Sequence, residues 1–214
     1  ADLLQIACFD TAFHVSQPPL AQRFAIARHW HDKGIRRYGF HGLSFASITR
    51  QLPALGLENS RVVVCHLGGG ASACAINNSQ SIAASTGFSA LDGLMMASRP
   101  GNIDPEVLLY WMDHEKMSAT DIRQELYLHS GLLGGSGISS DLRQLEASPA
   151  AEAAEAIALF CYRTVREIGA LAAQMQGIDA LIFTAGIGEH SATVRQQILS
   201  SLAWLGFQLD PAAN

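Results

Sequence analysis

Apolar residues along the chain fall into two rhythms. Short runs bounded by turn residues predict strands at Gln5 to Phe9, Arg61 to Cys65, Ala71 to Ile76, Ser81 to Ala84 and Ala180 to Phe183. The first reads as a buried strand that ends at Asp10. The next three are joined by Gly68-Gly-Gly70 and by Asn77-Asn78, so strand, tight turn, strand, tight turn, strand predicts a β-meander. Elsewhere the apolar spacing is helical. Pro18-Pro19 predicts the opening of a helix that passes Ala27 and Trp30 and stops at Gly34, and a second helix is predicted from Gly42 or Leu43 to Leu52, ended by Pro53. Asp104-Pro105 supplies a cap and a first-turn proline for a helix over Glu106 to Met117. Another helix begins at Thr120 or Asp121, and Ser140-Asp141 caps a turn through Leu142 and Leu145. Ala150 to Gln176 predicts a long helix with its apolar face at positions 154, 157, 158, 161, 165, 168, 171 and 172, closed by Gly177. The last strand runs through Thr184-Ala-Gly-Ile-Gly188 into a helix from about Ser191 to Leu202.

Composition narrows the class. Apolar residues make up 49% and aromatics only 7%, with much of the apolar content Ala and Leu, which suits an α/β protein better than an all-β sandwich. The net charge is −5 and the 14 Lys plus Arg include only two lysines, Lys33 and Lys116; no basic run is present to neutralise a row of phosphates, which argues against nucleic acid as a partner. No run of about 18 apolar residues predicts a membrane span. Cys8, Cys65, Cys74 and Cys161 show no CxxC spacing and read as buried free thiols, so a reducing, cytoplasmic setting is expected. The opening Ala-Asp-Leu-Leu-Gln leads straight into Ile6 to Phe9, and the chain is expected to begin inside a larger protein.

Glycine carries the chemical signal. His66-Leu-Gly-Gly-Gly70, Gly134-Gly-Ser-Gly137 and Gly186-Ile-Gly188 each fall where a regular element is predicted to end. A turn without side chains lets main-chain N–H groups approach an anion without any lysine. GxxxxGK[ST] is absent, which excludes a P-loop, and no GxGxxG follows a first strand, which disfavours the dinucleotide fold. A meander with a glycine turn, then helices, then a strand–glycine–helix unit points instead to the actin-like ATPase architecture. His29-Trp-His31 has HxH spacing, but i and i+2 diverge on a helix, so it predicts no chelate. His114 and His129 read as surface residues, and Met95-Met96 as packing beside the site.

Seven segments, in this order, resemble the acetate kinases: Phe9-Asp-Thr-Ala-Phe-His14, Arg37-Tyr-Gly-Phe-His-Gly42, His66-Leu-Gly-Gly-Gly-Ala-Ser72, Gly93-Leu-Met-Met96 with Arg99, Ile103-Asp-Pro105, Ser130-Gly-Leu-Leu-Gly134 with Ser139-Ser-Asp-Leu-Arg143, and Phe183-Thr-Ala-Gly-Ile-Gly-Glu189. The resemblance implies an α/β, actin-like ATPase (ribonuclease H-like) domain and reversible, Mg²⁺-dependent transfer of a phosphoryl group between ATP and acetate. It implies that Asp10 organises the transferring group and its metal, that His41 steadies the equatorial oxygens, and that Arg99 stabilises the transition state. His66, Leu67, Gly68, Gly69 and Gly70 match the phosphate-cradling hairpin. Asp141, Leu142 and Arg143 match adenosine-side contacts, as do Gly186, Ile187, Gly188, Glu189 and His190. One arginine, one imidazolium and main-chain donors then surround the oxygens, while acetate's own carboxylate, ionised at neutral pH, attacks without a base.

Residues 1–14 match the end of an N-terminal domain and residues 15–214 the C-terminal nucleotide-binding domain. The family's substrate arginine and its metal ligands match nothing in this sequence, so ATP or ADP binding with little or no catalysis is expected, and propionate or butyrate remains an alternative acceptor. A non-catalytic nucleotide-binding or dimerisation module is the other alternative. A homodimer is implied by the resemblance. Gly69 and His190 stand where the family usually has asparagine, and Leu43 and Phe45 where it has threonine and histidine.

Overall fold

The computed structural model describes residues 3–214. At its centre is a four-stranded sheet in the order β3-β2-β1-β4. β1 (Arg61–Leu67), β2 (Ala71–Asn77) and β3 (Gln80–Ala84) form the expected antiparallel meander, and β4 (Ala180–Thr184) returns parallel to β1. That parallel return requires a long crossover, which the intervening helices supply.

Because side chains alternate across a strand, β1 and β2 feed a core on each face. Val63, Cys65 and Leu67 with Ala71, Ala73 and Ala75 face the larger core, where α7 (Ala151–Gln174) contributes Phe160 and Ile168. Val62, Val64, Cys74 and Ile76 face α2 (Gly42–Thr49) through its Phe45. The result is helix, sheet, helix in three layers. His66 and Ser72, paired across the β1–β2 ladder, share the α2 face with the even-numbered set. Two helix starts are capped as the sequence predicts: Asp104 accepts the Glu106 N–H before α3 (Pro105–Asp113), and Asp141 accepts the Arg143 N–H at α6 (Leu142–Glu146). α4 (Ala119–Leu128) starts one residue before the expected Thr120, because Ser118 and Asp121 cap each other there.

Several expectations give way. Gln5 to Phe9 joins no ladder, and Leu4, Ile6, Phe9 and Cys8 are exposed rather than buried. An apolar run becomes a strand only where a neighbour accepts its hydrogen bonds; here the chain goes on into a 3-10 turn over Asp10–Ser16. The helix expected from Pro18 shrinks to α1 (Arg28–Asp32), because the preceding backbone is used otherwise: Ala21 N–H closes a turn on the Pro18 carbonyl, and the Gln22 carbonyl accepts from Arg37. α2 ends at Thr49, α3 at Asp113. On α7 the buried stripe runs through Ala153, Ala156, Ile157, Phe160, Cys161, Thr164 and Ile168, leaving 154 and 158 in solvent. Alanine at those two positions tolerates either side, and Phe160 with Thr164, whose hydroxyl donates to the Phe160 carbonyl at 2.8 Å, fixes the phase.

Candidate active site

Asp10 begins the site by fastening a distant stretch of backbone. Its carboxylate accepts the His41 N–H at 2.6 Å and the Leu43 N–H at 3.3 Å, capping α2 from 31 residues away. His41 adopts a left-handed backbone with φ 57°, an uncommon state for a side-chain-bearing residue that needs such support. A second grip comes from buried His14, whose ring lies 3.1 Å from the Phe40 carbonyl and 2.9 Å from Ser81 Oγ. The His41 ring is thereby aimed at the sheet. Its Nδ1 lies 2.8 Å from Ser72 Oγ, and it stacks on the His66 ring at 4.2 Å between centroids.

The β1–β2 turn receives this pair. Gly68 donates its N–H to the Gly70 carbonyl at 3.1 Å, and the Gly69 carbonyl accepts from Ala97 at 3.1 Å. That last bond ties the turn to the Met96–Arg99 segment, itself stitched to α5 (Gly131–Ser136) through Leu132 and Leu133 N–H groups. Arg99 is placed by this stitching and by donation from Nη1 to the Ala90 carbonyl at 2.7 Å. A methyl group on Gly70 would meet Arg99 Nη2 at 3.0 Å and His41 Nε2 at 3.2 Å. Guanidinium, imidazole and glycine turn therefore converge on one point.

Beside that point opens a cleft of about 580 Å³, lined by Gly68 and Gly69, by Asp141, Leu142 and Arg143 at the start of α6, and by Gly186, Ile187 and His190 of α8 (Ala185–His190). The volume is that of a small-molecule site. Gly69 and Gly186 have no atom within 4 Å of where a Cβ would project, so both leave backbone open. The other expected residues sit differently. Leu67 is fully buried in the larger core. Gly188 is a packing position, its added Cβ meeting Phe183 at 3.4 Å. Glu189 caps its own helix, accepting the Ala185 N–H at 3.0 Å. Gly134 and Gly135 lie inside α5 and Gly137 ends it, so this second glycine segment does not line the cleft. His114 and His129 are exposed and Met95 and Met96 buried, as expected.

The electrostatics correct one expectation. Burial, with the Arg99 charge adding to it, pushes the His41 ring below its ordinary 6.5 against the opposing pull of Asp10. Burial and the neighbouring His41 push His66 down to about 4. Both rings are neutral at pH 7, so the unliganded site offers an imidazole, not an imidazolium, beside the guanidinium. The motifs assign no role to Ser44 and Ser72, which hold these rings, or to Glu146, which lines the cleft and accepts from Ser191 Oγ at 2.6 Å. For Ser72 a signal existed: a turn of Gly68 to Gly70 sets residue 66 opposite residue 72.

A meander whose glycine turn borders such a cleft, closed by a parallel strand that runs into a glycine-containing helix, is the actin-like ATPase fold as solved acetate and propionate kinases carry it. Porphyromonas gingivalis acetate kinase superposes with a TM-score of 0.92 at 37% identity over 96% of this chain and 53% of that one. A propionate kinase from Francisella tularensis superposes with a TM-score of 0.91 at 38% identity over 95% of this chain and 54% of that one. The profile of the Acetokinase family matches residues 1–214, and the chain belongs to that family. It is 54% identical over 215 aligned residues to an acetate kinase of Rhodopseudomonas palustris (strain TIE-1), covering 99% of this chain and 54% of the relative. The chain thus spans about half the length of the curated relatives it matches.

Proposed function

We propose that this chain is the nucleotide-holding half of an acetate kinase, acting in reversible phosphoryl transfer between ATP and acetate to give ADP and acetyl phosphate. The observation that carries the reading is the convergence of His41 Nε2 and Arg99 Nη2 on Gly70 beside the cleft. Phosphoryl transfer asks a protein for alignment and for donors around the migrating group rather than for covalent chemistry. Arg99 supplies charge, His41 a ring N–H, and the Gly68–Gly70 turn main-chain donors. The acetate carboxylate is ionised at pH 7 and attacks in line, so Asp10 serves as organiser and not as base. Gly186, His190, Asp141 and Arg143 hold the nucleoside end.

The residues present do not by themselves fit a Mg²⁺ site. Both Asp10 oxygens already accept main-chain N–H groups, and among the described residues no cluster of three His, Cys, Asp or Glu side chains is placed to hold a metal. We place the family's Mg²⁺ ligands, and the arginine for the substrate carboxylate, in segments outside this sequence. Residues 15–214 are then the nucleotide domain and residues 1–14 its junction with a further domain. The assignment to the cytoplasm and to a homodimer rests on family likeness, and among the described residues no helix is long and apolar enough to cross a membrane.

Calorimetric titration with ADP and ATP, run beside an acetyl-hydroxamate assay, tests the reading. Nucleotide binding with slow turnover is expected. No binding overturns the reading, and turnover near that of full-length kinases overturns the expectation of weak catalysis. The similarity to a Francisella propionate kinase keeps a longer acyl acceptor as the second reading, decided by comparing acetate with propionate and butyrate in the same assay.

A further inference from the structure

Two serines touch the imidazoles at the turn. Ser72 Oγ lies 2.8 Å from His41 Nδ1, and Ser44 Oγ, in the first turn of α2, lies 2.9 Å from His66 Nδ1. The opposite nitrogens face the glycines: His41 Nε2 lies 3.2 Å from the Cβ position of Gly70, and His66 Nε2 lies 3.8 Å from that of Gly68. The two rings stack with only 19° between their planes, and each turns its Nε2 toward a glycine of the same turn. We infer that Ser44 and Ser72 are positioning residues whose hydroxyls donate to Nδ1 and thereby keep the ring proton on Nε2, giving the glycine turn a pair of parallel N–H donors.

The direction of the Ser72 bond follows from its burial. Ser72 is 0% exposed, and among the described residues its hydroxyl makes no hydrogen bond other than that to His41. Were His41 to carry its proton on Nδ1, Ser72 would accept it and its own O–H would be left buried without an acceptor, at about 1–3 kcal/mol. With the proton on Nε2, the hydroxyl donates and nothing is orphaned. Ser44 is half-buried and follows the same geometry with a weaker constraint. A neutral imidazole has one N–H, and the partner of the other nitrogen decides which one it is. Both rings are held neutral by burial, so this choice settles whether an arriving phosphate meets a donor or a lone pair. That use of the donors rests on the nucleotide-binding reading; the tautomers themselves do not.

Nitrogen NMR of the full chain, labelled at the histidine rings and assigned with His41→Asn and His66→Asn, reads the tautomers directly. In the unsubstituted protein both rings are expected as the Nε2–H form near neutral pH. Ser72→Ala is expected to raise the Nδ1–H share of His41 above that of the unsubstituted protein, because the hydroxyl preference is gone, while Ser72→Thr restores the single form. Finding His41 as Nδ1–H in the unsubstituted protein overturns the inference without any variant. So does an unchanged tautomer in folded Ser72→Ala. ADP is then added: movement of the Nε2 signals supports the donor role, whereas correct tautomers that ignore ADP leave the serine assignment standing and refute the nucleotide reading.

Discussion

At the turn end of the cleft, His41, His66 and Arg99 are each tied by side-chain hydrogen bonds to a hydroxyl or a carbonyl, and both rings are shifted by burial. At the α6–α8 end, Gly186, His190 and Arg143 are exposed, and the Arg143 side chain, 87% exposed, is held by a surface pair with Asp141 at 2.6 Å. Under the proposed nucleotide reading, the contrast would separate two tasks. Donors that must meet charge developing on a moving group work best when fixed beforehand in a water-poor setting. Contacts to a nucleoside need only recognise a shape, and a solvated rim suffices. The same cleft thus pairs a hydrogen-bonded, half-buried end with a solvent-exposed one.

Substitutions should break this contrast unequally. The largest effect is expected for Gly42→Ala, whose Cβ would fall 1.9 Å from the Asp10 carbonyl oxygen, a backbone atom that cannot swing away. A loss of about 4 kcal/mol or more in urea unfolding is expected, and a loss below about 1 kcal/mol would show the turn end to be softer than argued. Next, Arg99→Ala should lower the acetyl-hydroxamate rate about 10²–10³-fold relative to the unsubstituted chain, with nucleotide affinity much less affected.

The pH dependence sharpens the contrast at intermediate size. His14, His41 and His66 have folded values below their ordinary 6.5, His66 at about 4, so their contribution is complete above 6.5 and is lost as pH falls from 6.5 toward 4. Glu167, raised above its ordinary 4.5 by burial, works in the opposite sense and reduces the slope. Asp179, held at about 2 by the Arg61 guanidinium, contributes only to a later loss between 3.8 and 2. Urea midpoints measured from pH 7 to pH 4.5 should fall, and a flat profile would contradict the desolvation of the turn end. The smallest effect is expected for Arg143→Ala, with stability within about 0.5 kcal/mol and at most a few-fold loss in ADP affinity by calorimetry.

What the sequence disclosed follows the same divide between local and non-local causes. The meander was legible because Arg61–Cys65, the glycine turn and Asn77-Asn78 each carry their own strand or turn preference, and the caps at Asp104 and Asp141 are local chemistry. His41, Arg99 and the Gly68–Gly70 turn were found by motif, and the structure brings them together. What failed depended on distant partners. Gln5 to Phe9 has strand composition and no strand beside it. The stretch after Pro18 loses its helix to bonds with Gln17 and Arg37, and the His14–Ser81–Gln17 network buries polar groups where an apolar face would be sought. The neutrality of His41 comes from burial by the surrounding fold, which no spacing of residues announces.

Asp10 splices two lengths of chain together beside the His41 ring. Its two oxygens hold the His41 and Leu43 N–H groups, one each. Asparagine there would present an amide N–H to a main-chain N–H, donor against donor, and shift the very ring whose chemistry was to be measured. Point replacement at this position therefore merges masonry with reactivity. Diffusing formate into an Asp10→Gly cavity, and asking whether fold and rate recover at the same concentration, would pull the two apart.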